Sequence, residues 1–418
     1  MSSALRRTKA RALTITRSIA SAFKSTIGHS QHRNQANDVR DLTISRPKRL
    51  KRPPPPAFAR THLISLLPCE LLALVFVLGA ESDPMLPITI SHVCRTWRRL
   101  ALRTPALWRR VTLDSRLGMW NERIQRAKAC PLEVQLVPWF IHDSRRSRHD
   151  RRDMAAVQWY MHVVTPHIRR WRSLEIVFSD YSPYLWNAAL SACCSTRKDV
   201  QALLLEELTL IYRNNDDTKE FFLFSNCAPC LKRVTLDGIK LTWTPSLFGN
   251  LIYLDYTHHG FTRGYSAARE VLDMIRVCPR LVELRLLFLH KRPIRRRSLS
   301  ERLNLPLVAL NRLVNLQLRV EGRDIPFELM QTATLLHTPA LQQLHLVDVN
   351  ERSHIFPSIK VFFRRYTIPR TLRVLFVGCG WYDGHALSPI IHASSFITHV
   401  VLQRPMMSPQ LVQVMEIR

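Results

Sequence analysis

The sequence predicts an α+β chain in three parts: a basic N-terminal arm expected to be disordered, a small three-helix module, and a long, irregular α/β solenoid with parallel strands. Three observations lead there. Residues 1–60 carry 14 Lys and Arg against only Asp38 and Asp41. Residues 67–113 place apolar side chains at helical spacing between breaks marked by proline and glycine. From Trp171 onward one pattern, apolar-x-x-apolar-x-apolar, recurs nine times.

The arm, residues 1–60, has the composition of a chain that cannot bury enough apolar surface to order itself. Its first 37 residues lack any acid and are rich in Arg, Ser and Ala, as in a mitochondrial presequence. RPKRLKRPPPP at 46–56 has the make-up of a nuclear localisation cluster. Disorder is the first reading, with cytoplasm and/or nucleus as the expected location.

The module, residues 61–113, is read from its spacing. Pro68 suits a first helical position, where a missing N–H costs nothing. Glu70 falls in the first turn, where negative charge is favoured. Leu71, Val75 and Leu78 recur at spacings of four and three, and Leu72 pairs with Phe76, so one helix face is broadly apolar. Gly79 offers a stop, and a loop with Asp83, Pro84 and Pro87 follows. Ile90, Val93, Trp97 and Leu100 predict a second helix. Thr104 and Pro105 predict the start of a third, through Leu107 and Trp108.

In order, Leu-Pro-x-Glu-Leu-Leu at 67–72, Val-Cys-x-x-Trp at 93–97, Ala-Leu-x-Thr-Pro at 101–105 and Leu-Trp at 107–108 resemble an F-box of the fungal type. The resemblance implies a module that docks onto the Skp-type adaptor of a cullin-based ubiquitin ligase. Leu67, Pro68, Glu70, Leu71 and Leu72 would meet the adaptor, with Val93 and Cys94 near the same surface. Phe76, Trp97, Leu107 and Trp108 would form the core.

Residues 114–170 connect the two halves. PLEVQL at 131–136 alternates like an extra first strand, and 142–170, with Ala155, Trp159, His162 and Val163, reads as a helix packed at the solenoid's entrance.

Over 171–418 the nine repeats start at Trp171, Leu205, Leu231, Leu251, Leu281, Leu313, Leu341, Leu372 and Ile397, about 28 residues apart on average. The fifth position of each is mostly polar between apolar neighbours, as in a strand with one buried face. Helical stretches such as 267–277 and 327–337 intervene, which argues for stacked strand–helix units. The pattern resembles the leucine-rich repeats that often follow an F-box. It departs from them where an Asn or Cys is usual. Ser179, Arg213, Ile239, His259, Leu289, Glu321, Val349, Gly380 and Pro405 stand there, so no asparagine ladder is expected and the spacing should be irregular.

The net charge of +29 favours acidic partners. Runs at 145–152 and 291–297 contribute, with a solvated basic surface as the plain alternative. No recognition helix, stacking motif or paired Cys/His spacing supports specific nucleic-acid reading. Nine scattered cysteines do not form a secreted disulfide framework, and the longest apolar run is too short to span a bilayer. Cys227-Ala-Pro-Cys230 has redox or metal spacing but no second pair. Gly378-Cys379-Gly380 reads as a turn after a strand. His258-His259 and the His162/His167 pair lack matching ligands. No metal, cofactor or catalytic constellation is expected, and therefore no enzyme.

The resemblance implies a substrate-recognition subunit of an SCF-type ligase. The alternatives are a non-degradative scaffold on the same adaptor and a basic nucleic-acid-associated protein. Within the repeats, the outward fifth and seventh positions present Arg285, Gln317, Arg319 and His345 as candidates to hold an acidic or phosphorylated protein segment. The competing reading pairs the two arginines with Asp255 and Glu283.

Overall fold

A computed structural model describes residues 63–113, 119–137, 150–178, 185–194, 200–215, 217–289, 306–350, 354–403 and 413–416. The expected arm, the run at 291–297 and most of that at 145–152 lie outside the described residues. The chain divides into two compact units, one ending at Arg103 and the other spanning Thr104–Arg418.

Among its described residues the first unit holds a 3-10 turn at Leu63–Leu66 and three helices, α1 (Cys69–Ala80), α2 (Leu86–Ser91) and α3 (Arg95–Arg103). Pro68 has extended backbone (φ −53°, ψ 143°) and sits at the N-cap, so the helix starts one residue later than expected. Gly79 is not a stop. It lies inside α1, and a Cβ there would come 2.5 Å from Leu86 Cδ2. Close approach of the following segment, not termination, accounts for that glycine. The expected single helix over Ile90–Leu100 is two. Side chains seal the break: Arg98 Nε donates to the Ser91 carbonyl (2.8 Å), and the Trp97 N–H donates to Cys94 Sγ (3.5 Å). Leu72, Phe76, Ile90, Trp97 and Ala101 are buried. Phe76 and Trp97 meet edge to face, 4.8 Å between centroids.

Among the described residues the second unit contains sixteen strands: β1 (Arg110–Thr112), β2 (Leu132–Leu136), β3 (Trp171–Val177), β4 (Glu207–Ile211), β5 (Glu220–Phe221), β6 (Arg233–Asp237), β7 (Lys240–Leu241), β8 (Tyr253–His258), β9 (Glu283–Phe288), β10 (Val308–Ala309), β11 (Asn315–Val320), β12 (Leu336–His337), β13 (Gln343–Asp348), β14 (Val374–Val377), β15 (His399–Leu402) and β16 (Gln413–Glu416). Twelve form one sheet in the order β1-β2-β3-β4-β6-β8-β9-β11-β13-β14-β15-β16. Its first eleven strands are parallel, and β16 closes the edge antiparallel to β15. β5 with β7 and β10 with β12 form two small parallel pairs. The fold is therefore mixed α/β around a large parallel sheet. The helices are α4 (Met119–Arg126), α5 (Asp150–Val164), α6 (Leu185–Leu190), α7 (Pro245–Phe248), α8 (Gly264–Arg276), α9 (Phe327–Thr334), α10 (Ile359–Arg365) and α11 (Gly384–Ala393).

The middle anchors of all nine repeats fall on the sheet and stay in step. The middle anchors run Leu174, Leu208, Val234, Leu254, Leu284, Leu316, Leu344, Leu375 and Val400, each opposite the next. All nine are buried. A one-residue slip would turn this ladder outward, so burial fixes the register. The segment 131–136 does supply a strand, β2.

Two expectations change here. The module boundary after Leu113 moves back to Arg103, because Arg110 pairs with Glu133 and draws β1 into the sheet. In α5 the inward face carries Val157, Tyr160, Met161 and Val164, while Ala155, Trp159 and His162 face out, Trp159 at 52% exposure. The Tyr160 hydroxyl decides this face, reaching the carbonyls of Val111 (2.7 Å) and Gln135 (3.0 Å) in β1 and β2. No asparagine ladder forms among the described residues. Two asparagines just beyond the expected position still tie neighbouring turns, Asn215 to the Gly238 carbonyl (2.9 Å) and Asn350 to that of Glu321.

Candidate functional site

Three places on the described surface carry the residues singled out by sequence. The first is α1. Leu72 and Phe76 point inward, whereas Leu71 (51% exposed), Leu74 (54%), Val75 and Leu78 are exposed at helical spacing on another face. The helix is thus apolar on two faces and buries only one within its unit. Leu67, Pro68, Glu70, Leu71, Val93 and Cys94 are exposed. Leu72 is the correction: it is 6% exposed and belongs to the core, four residues before Phe76 on the same face. The Glu70 carboxyl is held below its usual range, chiefly by its own backbone N–H and also by the Cys69 thiol. Among the expected core residues, Phe76 and Trp97 are buried in the first unit. Leu107 and Trp108 are buried in the second, in a 3-10 turn at Pro105–Trp108, with the Arg126 guanidinium 4.6 Å over the Trp108 ring.

The second place is the outward face of the strands. Register aligns Asp255, Arg285, Gln317, His345 and Phe376 across five strands, so three of the four candidates share a ladder. Arg319 lies two residues beyond Gln317 on the same face. These groups do not stand free. Arg319 grips both oxygens of Asp255, one through Nη1 at 3.3 Å. Arg285 Nη2 holds Glu283 at 2.7 Å and Nη1 lies 3.9 Å from Asp255. The same guanidinium sits over the Tyr253 ring. His345 stacks on Phe376 at 4.0 Å, and burial together with Arg285 pushes its pKa down. Farther along, Arg213 binds Asp237 at 2.7 Å and approaches Glu321 at 3.8 Å. Burial nevertheless raises the Asp237 carboxyl. Asp255 is the hub of this face, and the competing reading of the sequence, which pairs the two arginines with Asp255 and Glu283, is the one the structure bears out.

The third place is the histidine pair. Sequence reading found no ligand to match it, but the structure brings Glu270 of α8 to the end of β8. Among the described residues, His258, His259 and Glu270 are the one group of possible metal ligands whose atoms lie within 4.8 Å of one another. Their hydrogen bonds argue against a metal. Nδ1 of His258 accepts from the Gly260 N–H (3.1 Å), and Nδ1 of His259 from the Phe261 N–H (3.0 Å). A neutral ring then carries its proton on Nε2. His259 Nε2 donates to Glu270 (2.7 Å), and His258 Nε2 to Thr262 Oγ1 (3.1 Å), whose hydroxyl donates to Glu270 (2.6 Å). A cation on the Nε2 atoms would need those protons on Nδ1, against backbone N–H groups. Burial lowers the His258 pKa, and Glu270 opposes it only in part. Burial alone would raise the Glu270 carboxyl, yet the bonds from His258, His259 and Thr262 hold it far below its usual range. The cluster is a clasp between a strand end and a helix.

No protein-family model matches the chain, and no curated protein matches it in sequence.

Proposed function

We propose that the chain is the substrate-recognition subunit of an SCF-type ubiquitin ligase, with the helices around α1 acting as an F-box and the sheet-bearing unit holding the substrate. The observation that carries this reading is the second apolar face of α1. Leu71, Leu74, Val75 and Leu78 lie exposed beside Leu67 and Pro68, within the stretch whose motifs resemble an F-box. Covering a large aliphatic side chain is worth ~1.5–3 kcal/mol, so such a face favours a partner. The role is binding rather than catalysis. Substrate lysines would be held near a loaded conjugating enzyme, which raises their effective concentration. The parallel strands in chain order, with anchors in step, support a repeat-built substrate platform.

The test replaces exposed residues only. Pro68→Ala with Leu71→Asp is expected to abolish co-purification with a Skp-type adaptor while leaving the far-UV circular dichroism unchanged. Undiminished adaptor capture by that variant would overturn the docking assignment.

A further inference from the structure

At the N-terminal edge of the strands, opposite in chain direction from the Arg319–Asp255 face, a groove of ≈ 530 Å³ crosses the starts of β6, β8, β9 and β11. Lys232, Ile252 and Val282 each directly precede a strand, and Arg280 and Arg312 directly precede the buried anchors Leu281 and Leu313. The backbone here is already satisfied. The N–H of Ile252 donates to the Lys232 carbonyl (2.9 Å), that of Val282 to Ile252 (2.9 Å), and that of Val314 to Val282 (2.8 Å). A ligand would therefore meet side chains only.

Those side chains are cationic and close together. Many arginines of the sheet are matched with acids, Arg172 with Glu206, Arg233 with Glu207, Arg213 with Asp237, Arg285 with Glu283 and Arg319 with Asp255, while Arg170 and Arg373, which also directly precede strands, donate to backbone carbonyls. In the groove, no carboxylate among the described residues pairs with Lys232, Arg280 or Arg312. Arg280 is oriented instead by a neutral relay. Its Nη1 donates to Asn250 Oδ1 (2.9 Å), and Asn250 Nδ2 donates to the Pro229 carbonyl (3.1 Å). The guanidinium is aimed but its charge is not cancelled. Ile252 and Val282 supply an aliphatic floor, 40% and 38% exposed.

We propose that this groove binds an extended acidic peptide segment, with carboxylates on Lys232, Arg280 and Arg312 and an aliphatic side chain on Ile252 and Val282. Three strand spacings of ~4.8 Å separate β6 from β11, a span of about four residues of extended chain. The lining contains no aromatic ring on which a base could stack, which favours peptide over single-stranded nucleic acid. The proposal goes beyond the ligase reading and stands apart from it, since a peptide added directly needs no adaptor.

The experiment uses the full chain and a fluorescein-labelled peptide of alternating Glu and Leu, read by anisotropy. Lys232→Glu with Arg280→Glu and Arg312→Glu is expected to weaken binding at least about tenfold. The same charge change on exposed α10 residues, Lys360→Glu with Arg364→Glu and Arg365→Glu, is expected to change it by less than about twofold. Ile252→Ser with Val282→Ser should weaken the Glu–Leu peptide and leave an all-Glu peptide unaffected. Urea midpoints check that each variant is folded, and the milder pair Lys232→Gln with Arg312→Gln serves if the triple is not. Equal losses from the groove and α10 triples would reduce the effect to bulk charge and overturn the site. So would wild-type affinity in the groove variants. An oligothymidine of equal charge that outcompetes the peptide, and loses binding in the groove triple, would replace a peptide groove by a nucleic-acid one.

Discussion

Asp255 serves two arginines, and that asymmetry makes its replacement informative. Asp255→Asn keeps the shape but leaves Arg319, whose side chain is 17% exposed, without its carboxylate; Asp255 itself is 13% exposed. It also removes the charge 3.9 Å from Arg285. Unit charges about 4 Å apart attract by roughly 4 kcal/mol at an effective dielectric of 20, and desolvation cancels much of that. The expected net cost of Asp255→Asn is ~2–3 kcal/mol. Arg319→Met should cost less, about 1 kcal/mol, because Arg285 remains near the carboxylate and the methionine stem retains packing. The double variant should fall short of the sum by ~1–2 kcal/mol. Urea unfolding followed by far-UV circular dichroism, with slopes checked for constancy, measures all three. Equal single costs that add within about 0.5 kcal/mol would refute the hub reasoning.

Two further outcomes follow from the geometry. Trp97→Ala should unfold the first unit, since truncating a buried Trp costs ~3–5 kcal/mol, comparable to all the stability so small a unit has; native near-UV signal and unchanged protease resistance over 63–103 would count against it. Stability should also fall as pH drops below the unfolded histidine value of ~6.5. Burial lowers the pKa values of His258, His345 and His167, so each contributes stability that is complete above the unfolded value of ~6.5 and is lost as pH falls through the lower folded value. His345→Gln should flatten part of that fall in the urea midpoint, and an unchanged pH profile would contradict its share.

The strands were legible because two constraints coincide in them. Leu174, Leu208, Val234 and their counterparts must be apolar for burial, and neighbours such as Glu175 and Thr209 must not be. A period of two leaves little choice of face. Helices were less legible where apolar residues ring them. In α1, Leu71 and Leu72 are adjacent and equally hydrophobic, and Leu72 turns inward on the face of Phe76, which meets Trp97. In α5, Trp159 looked like a core residue, but the hydrogen bonds of Tyr160 rotate the helix the other way. Glu270 was invisible as a partner of the histidines because the turn through Gly260 and Gly264, both at positive φ, sets how α8 returns to β8. The charge pairing on the strand face needed the register as well as the residues. Arg319 meets Asp255 only by reaching past β9.

That reach has a consequence for how the second unit comes apart. In an array where every strand touches only its neighbours, opening can begin at an end and proceed one unit at a time. Arg319 links β11 to β8 over the intervening β9, and Arg213, just past β4, approaches Glu321, just past β11, over β6, β8 and β9. Neither tie survives the departure of one strand in its span. Removing a strand between β4 and β11 therefore also breaks a long-range ion pair, a cost that the strands β13–β16 do not share.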